Sequence, residues 1–492
     1  MVGGSAKYKD QKSLLLETIK QMIKPCFFTV ITTIAGFSSL ILSGLLPVIN
    51  FGWMMSLGVS ISLIVTFLVF PVLLIELDRL KPNLSFENKF NLPEIVAKFA
   101  KNHGNFALFF TCMIFIFSVI GVARLKVENS FIDYFKSTTE ISKGMRVIDN
   151  QLGGTTILDV TLDFDANEIE LKKKEDDFVS DDLDDLDDLL MEMDQQNNEP
   201  KYWFTDYKMT KIEELHDYLD SLDETGKVLS FATILKIGRS INNGNSLDSV
   251  QLGLLYEKLS KEYKEIILDP YISTDNNQAR ISLRVKDSDP KLRRNELIQE
   301  IKLNAPKTIG ITSEKIKLSN ILVLYNNMLQ SLFSSQILTL GLVVVVLFSM
   351  FMFLFKSFKI SLIALIPNLL SIGSVLGLMG VFSIPLDMMT ITIAAISMGI
   401  AVDNTIHYIF RHKVEYNRNK NYESSMLKTH TSIGYALYYT TLTIIVGFSI
   451  LVFSNFIPSI YFGLLTSLAM FIALFATLTI VPKLLALFKA YN

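Results

Sequence analysis

Cysteine is almost absent: the two residues, Cys26 and Cys112, both fall inside apolar runs. A disulfide framework and a thiolate metal site are therefore not expected. Histidine is nearly as scarce, with five. The sequence has no His-Glu-x-x-His pair, no Gly-x-Ser-x-Gly elbow and no phosphate loop. The chain thus reads as no enzyme, with no cofactor and no metal, and work done by it would draw on an ion gradient rather than nucleotide hydrolysis. The opening MVGGSAKYKDQK adjoins no apolar core and is not read as a signal peptide. Nucleic acid is not an expected partner.

What is abundant is apolar surface. Half of the 492 residues are hydrophobic, 35 are Phe, and the mean hydropathy is +0.37, which points to a membrane protein. Eight stretches have the length and lack of charge of a span, near residues 25–44, 52–77, 106–123, 336–355, 360–382, 388–410, 435–453 and 461–485. The net charge of −3 is an average over unlike parts. Residues 175–199 hold 12 acids and no Lys or Arg, so the remainder sums to 46 − 37 = +9. Lys and Arg gather in 7–24, 78–105, 356–359 and 411–428. All four fall on one side if the spans alternate, which makes that side cytoplasmic, with both termini on it.

One span holds an acid. LDMMTITIAAISMGIAVDNTIHYIFRHKVEY (386–416) places Asp403 roughly 12 Å before Arg411, near the middle of a ~30 Å hydrocarbon layer. His407 follows one helical turn along the same face. An ionisable group at that depth costs at least ~2.5 kcal/mol and by default marks an ion path.

The chain also repeats itself. Residues 29–71 align without a gap to 440–482 at an offset of 411, with 18 of 43 positions identical, among them Gly36/Gly447, Pro47/Pro458, Gly52/Gly463 and Pro71/Pro482. Glycine and proline kept in register argue for a true parallel repeat. The counterpart of Asp403 would lie nine residues before Met1, so the chain is expected to be the C-terminal part of a two-repeat transporter, with a missing N-terminal half or an oligomer partner.

The expected organisation runs in six parts: a cytoplasmic amphipathic segment 1–24; two spans of an incomplete first repeat, 25–78; a connector 79–105; a span 106–123; an extracytoplasmic domain 124–335; and a five-span bundle 336–488. The outer block has strand-like alternation at 155–164 and 278–287, and helix-like stretches at 138–150, 207–225, 248–267 and 290–304, the last opening at Asp289-Pro290. These suggest an α+β, ferredoxin-like domain. It is interrupted by an acidic insertion at 170–200, read as solvated; without a spaced Asp-x-Asp-x-Asp-Gly loop, calcium is the lesser reading. Gly373, Gly377 and Gly380 in the fifth span, and Gly399 in the sixth, are candidate helix-packing positions.

The order of span, outer domain and five spans, the duplication, and GIAVDNTIHYIFRH (399–412) together resemble the resistance–nodulation–division (RND) superfamily, in its MMPL-type branch of exporters. ENSFIDYFKSTTEISKGMRVIDNQLGGTTILDV (128–160) is similar to the opening of that family's outer domain. The resemblance implies a multi-pass protein of the bacterial inner membrane. It implies export of hydrophobic or amphiphilic, lipid-like molecules, driven by protons entering at acids on the fourth and tenth spans. Asp403 matches the tenth-span acid. Two features depart from the pattern: Asn404 stands where mycobacterial members often have Tyr, and no fourth-span partner lies in this chain.

The residue-level readings stay open at this point. Asp403 is a proton carrier or a buried structural acid. His407 relays a proton or sits at the headgroup boundary. Asn404 bonds across helices, bonds to the acid, or lines a polar seam. A lipid- or sterol-sensing regulator or scaffold is the alternative to a pump.

Overall fold

The computed structural model describes residues 11–76, 92–125, 130–164, 203–245, 247–387 and 389–491. The acidic insertion, residues 79–91 of the connector and residues 1–10 of the amphipathic segment lie outside the described residues. The chain divides into two compact units, one of residues 1–129 with 329–492 and one of residues 130–328.

In the first unit, eight helices among the described residues are long and apolar enough to cross a membrane. In chain order the helices of the protein begin with α1 (Gln11–Ser38), α2 (Leu46–Glu76) and α3 (Leu92–Val122). One expected boundary, at residue 25, lies inside an unbroken helix. Helix α1 runs through Pro25, which removes one backbone donor from it without ending it. α3 is two helices that meet at a kink at His103 (φ −122°, ψ 24°), where the connector gives way to the third span.

The second unit opens with α4 (Glu140–Gln151), capped by Thr139, and β1 (Thr156–Asp163). It continues with α5 (Asp206–Asp220), β2 (Thr225–Leu229), α6 (Phe231–Ile241), α7 (Ser249–Lys258) and α8 (Lys261–Ile267). Next come β3 (Ile272–Ser273), β4 (Gln278–Val285), α9 (Arg294–Ile309) and β5 (Ile316–Ser319). The sheet order β2-β4-β1-β5 is antiparallel throughout. With β3 set aside, this is a βαββαβ ferredoxin-like sheet carrying three extra helices between its second and third main strands. Leu158, Val160 and Leu162 of β1 and Ile281 and Leu283 of β4 project to one face and are fully buried. Ile212, Leu215 and Leu219 of α5 and Ile301 and Ala305 of α9 belong to the same core.

Three expectations for this unit change. The 207–225 stretch ends earlier, because Thr225 begins a strand. The 248–267 stretch is two helices, broken where Ser260 turns extended (φ −63°, ψ 154°). Asp289-Pro290 does not open a helix; Asp289 accepts from Lys291 N at 2.8 Å and caps a turn, and α9 starts at Arg294. Asp149 accepts hydrogen bonds from Thr155, Asp287 and Ser288, fixing the end of α4 to the end of β4. Asp287, paired with Arg294, also accepts from Ser130 Oγ and Phe131 N, each at 2.8 Å.

The first unit resumes with α10 (Ile321–Phe355), whose first turns belong to the second unit, then α11 (Phe358–Val381) and α12 (Thr390–Asn419). The seventh span joins α13 (Tyr422–Thr429), a π-helical turn (His430–Gly434), α14 (Tyr435–Ser449) and a 3-10 turn (Ile450–Phe453). The chain closes with α15 (Ile457–Leu487). Helices α11, α12 and α15 form the buried core, whereas α2 and α14 carry apolar side chains outward. A helix apolar all round can stay exposed only where the surroundings are lipid.

Candidate functional site

The site is built on α12, whose length of 30 residues exceeds what a span needs. Its start is fixed by Asp387, which accepts from Met389 N at 2.8 Å and Thr390 N at 2.7 Å. Burial pushes the Asp387 carboxyl up from its ordinary value, against those hydrogen bonds, which pull it down.

Two polar stripes run along α12 at four-residue spacing. The first is Gly399, Asp403 and His407. His407 Nε2 lies 3.2 Å from Asp403 Oδ1, and the Asp403 side chain is 43 % exposed on this face. The floor of the stripe is α1: a Cβ on Gly36 would stand 2.9 Å from Gly399 Cα, and Thr33 Oγ1 donates to the Gly399 carbonyl at 3.0 Å. Gly399 is thus where α1 and α12 touch backbone to backbone.

The second stripe is Asn404, Tyr408 and His412, all buried. Asn404 Nδ2 donates to Thr441 Oγ1 of α14 at 3.1 Å, and Thr405 meets Thr477 of α15 at 3.2 Å. Tyr408 meets His430, and His412 Nδ1 lies 3.1 Å from the Tyr491 hydroxyl. Asn404 therefore points away from Asp403 and ties α12 to α14. The structure brings together Asp403, His407 and Gly399, and sets Asn404 on the opposite stripe.

Gly373, Gly377 and Gly380 stand elsewhere, on the seam between α11 and α3. A Cβ on Gly377 would come 2.6 Å from Ser118 Cα, and one on Gly380 would collide with the Gly121 carbonyl. On Gly373 it would be 3.5 Å from Ser118 Cβ, an ordinary contact.

Thr33, Tyr408, His430 and Tyr491 are the participants that sequence reasoning missed. Only Tyr408 had a signal: with His412 it continues the period of Asn404 inside HYIFRH. His430 and Tyr491 had none, since only the folded bundle brings them to α12.

The MMPL family profile matches residues 180–490. The putative membrane protein MJ1562 of Methanocaldococcus jannaschii is 22 % identical over 405 residues, covering 80 % of this chain and 92 % of that protein. The hopanoid transporter HpnN of Burkholderia multivorans is 32 % identical over 108 residues, 21 % of this chain and 12 % of that protein. Among solved structures, the hedgehog release protein Disp of the water bear Hypsibius dujardini shares the fold, with a TM-score of 0.56 at 12 % identity over 96 % of this chain. The chain spans 59 % of the Disp chain. It is a multi-pass membrane protein that belongs to the MMPL family of the RND superfamily.

Proposed function

We propose that the chain is a secondary active transporter of the bacterial inner membrane. In this reading it moves hydrophobic or amphiphilic, lipid-like molecules outward, and protons passing Asp403 drive it. The observation that carries this is the Asp403–His407 pair: an acid and an imidazole 3.2 Å apart, one turn apart on a span, on its half-open face. A carboxylate in hydrocarbon is costly, and protonation removes that cost. His407 stands one turn nearer the basic 411–428 segment, which the distribution of Lys and Arg assigns to the cytoplasm. An imidazole can accept a proton on one ring nitrogen and release one from the other, so His407 can pass it on in that direction. One proton falling through 100 mV supplies ~2.3 kcal/mol, and a few suffice for a conformational cycle. The backbone contact at Gly36–Gly399 is where a charge change at Asp403 would be felt mechanically, four residues away on the same face. The membrane lipids themselves, hopanoid-like molecules included, are the substrate class supported by the similarity to HpnN.

The test is an Asp403→Asn variant reconstituted in vesicles with an imposed proton gradient and a fluorescent hopanoid or phospholipid as cargo. Gradient-driven movement is expected in the parent and is lost in the variant. Equal transport by both would refute coupling through Asp403 and leave a lipid-responsive scaffold as the better reading.

A further inference from the structure

Charge is nearly absent where the first unit is apolar enough to cross a membrane. Residues 25–75, 105–123, 336–355, 360–402 and 431–482 together hold a single Asp, Glu, Lys, Arg or His, and it is Asp387. It comes 16 residues before Asp403. That is roughly 24 Å along α12 and about 160° around it, so Asp387 is no part of the Asp403–His407 stripe.

Asp387 is 3 % exposed. Its Oδ1 accepts from both Met389 N and Thr390 N, its backbone N–H donates to Thr390 Oγ1 at 2.8 Å, and its carbonyl accepts from Ile391 N at 3.0 Å. One residue thus holds the first turn of α12. No described charge acts on its carboxyl, only burial and these hydrogen bonds. Among the described residues of the first unit, the other ionisable side chains at this end of the helices are Arg124 after α3, which is exposed, and the phenol of Tyr461 near the start of α15. Because both amide donors converge on Oδ1, the neutral acid can carry its proton on Oδ2 and keep both bonds. What it sheds is the cost of a charge in apolar surroundings. Burial accordingly outweighs the hydrogen bonds and holds the carboxyl above its ordinary value.

We propose that Asp387 is a second proton-binding site of the chain, and that its proton sets whether the start of α12 is wound. Neutral Asp387 stays in its buried seat and holds the first turn; the carboxylate leaves that seat for water, and the turn opens. The sign follows from linkage. A carboxyl held above its ordinary value when seated, and at about pH 4 when released, keeps the seat fully in acid and loses it as pH rises through the seated value. The distribution of Lys and Arg assigns this end of α12 to the outside. Acid there tightens the helix that carries Asp403. The site requires neither transport nor a proton at Asp403.

Hydrogen–deuterium exchange of the full chain in lipid nanodiscs, read in peptides covering 386–396 and corrected for the chemical exchange rate at each pH, is the test. Protection of the first-turn amides is expected to rise at least five-fold from about pH 8 to about pH 5. Asp387→Asn offers the same Oδ1 without a charge and should be protected at every pH. Asp387→Ser, a shorter uncharged cap, should likewise show no pH dependence. Asp403→Asn should keep the slope of the parent. The parent decides the sign by itself, whatever the yield of the variants. A flat profile, or protection that falls in acid as for a cap held by its charge, would overturn the proposal. So would a parent-like slope in Asp387→Asn, or a slope lost in Asp403→Asn, which would make Asp403 the titrating group.

Discussion

The Tyr408 hydroxyl lies 3.3 Å from Nδ1 of His430, and the same nitrogen lies 2.9 Å from the Met426 carbonyl while Nε2 lies 2.9 Å from the Leu478 carbonyl. A neutral imidazole has one N–H, so it can donate to only one of the two carbonyls. When Nε2 donates to Leu478, Nδ1 is an acceptor, and Tyr408 is the donor within reach. His430→Phe leaves the Leu478 carbonyl without this partner in a buried site and is expected to cost ~1–3 kcal/mol. Tyr408→Phe removes only the hydroxyl and should cost about 1 kcal/mol. Thermal unfolding in detergent reads both; equal melting of parent and His430→Phe would make the ring a spacer.

The repeat mates Gly36 and Gly447 should respond oppositely to the same change. Gly36→Ala forces a methyl against Gly399 and is expected to cost ~1–3 kcal/mol by overpacking. Gly447→Ala meets open space and should be neutral in the isolated chain, or slightly stabilising through helix propensity. Melting temperatures of the two variants check this directly.

On the α3–α11 seam, Gly377→Leu and Gly380→Ala both drive a side chain into backbone. Each is expected to lower the yield of monodisperse protein in detergent. Gly341→Ala, where no described atom lies within 4 Å, is the matched control and should leave it unchanged.

In the second unit, burial pushes the Asp149 carboxyl up, but hydrogen bonds from Ser288, Thr155 and the Asp287 backbone outweigh it and hold the carboxyl below its ordinary value. A folded-state pKa below the unfolded one gives stability that is complete above about pH 4 and is lost as pH falls through the folded value. Asp149→Asn turns an acceptor toward donors with another donor and should cost ~2–3 kcal/mol at neutral pH. The gap between variant and parent in chemical unfolding should narrow below about pH 4. A gap that is constant with pH would mean the carboxylate's charge is irrelevant.

Much of this architecture could be read from the chain. All eight spans were visible because apolar length is a local property, and the ferredoxin-like sheet followed from the alternation in 155–164 and 278–287. Strand β2 escaped because TGKVL is short and only Val228 is buried in it. The helix that holds the first span begins well before residue 25, since charged residues near the water boundary end an apolar run without ending a helix. At the site, Asp403 and His407 were legible through their spacing. The split of α12 into two polar faces was not, because Asp403 and Asn404 are adjacent in sequence and only their separate neighbours, α1 and α14, tell them apart.

The π-helical turn at His430–Gly434 widens one loop of the seventh span by a residue. Removing one amino acid there would restore regular winding and re-aim everything beyond it. Thr441 would leave Asn404, and the bare Thr443–Gly447 side would aim in a new direction. That single wide turn therefore acts as the angular setting of the segment, deciding which neighbour its outward side can receive.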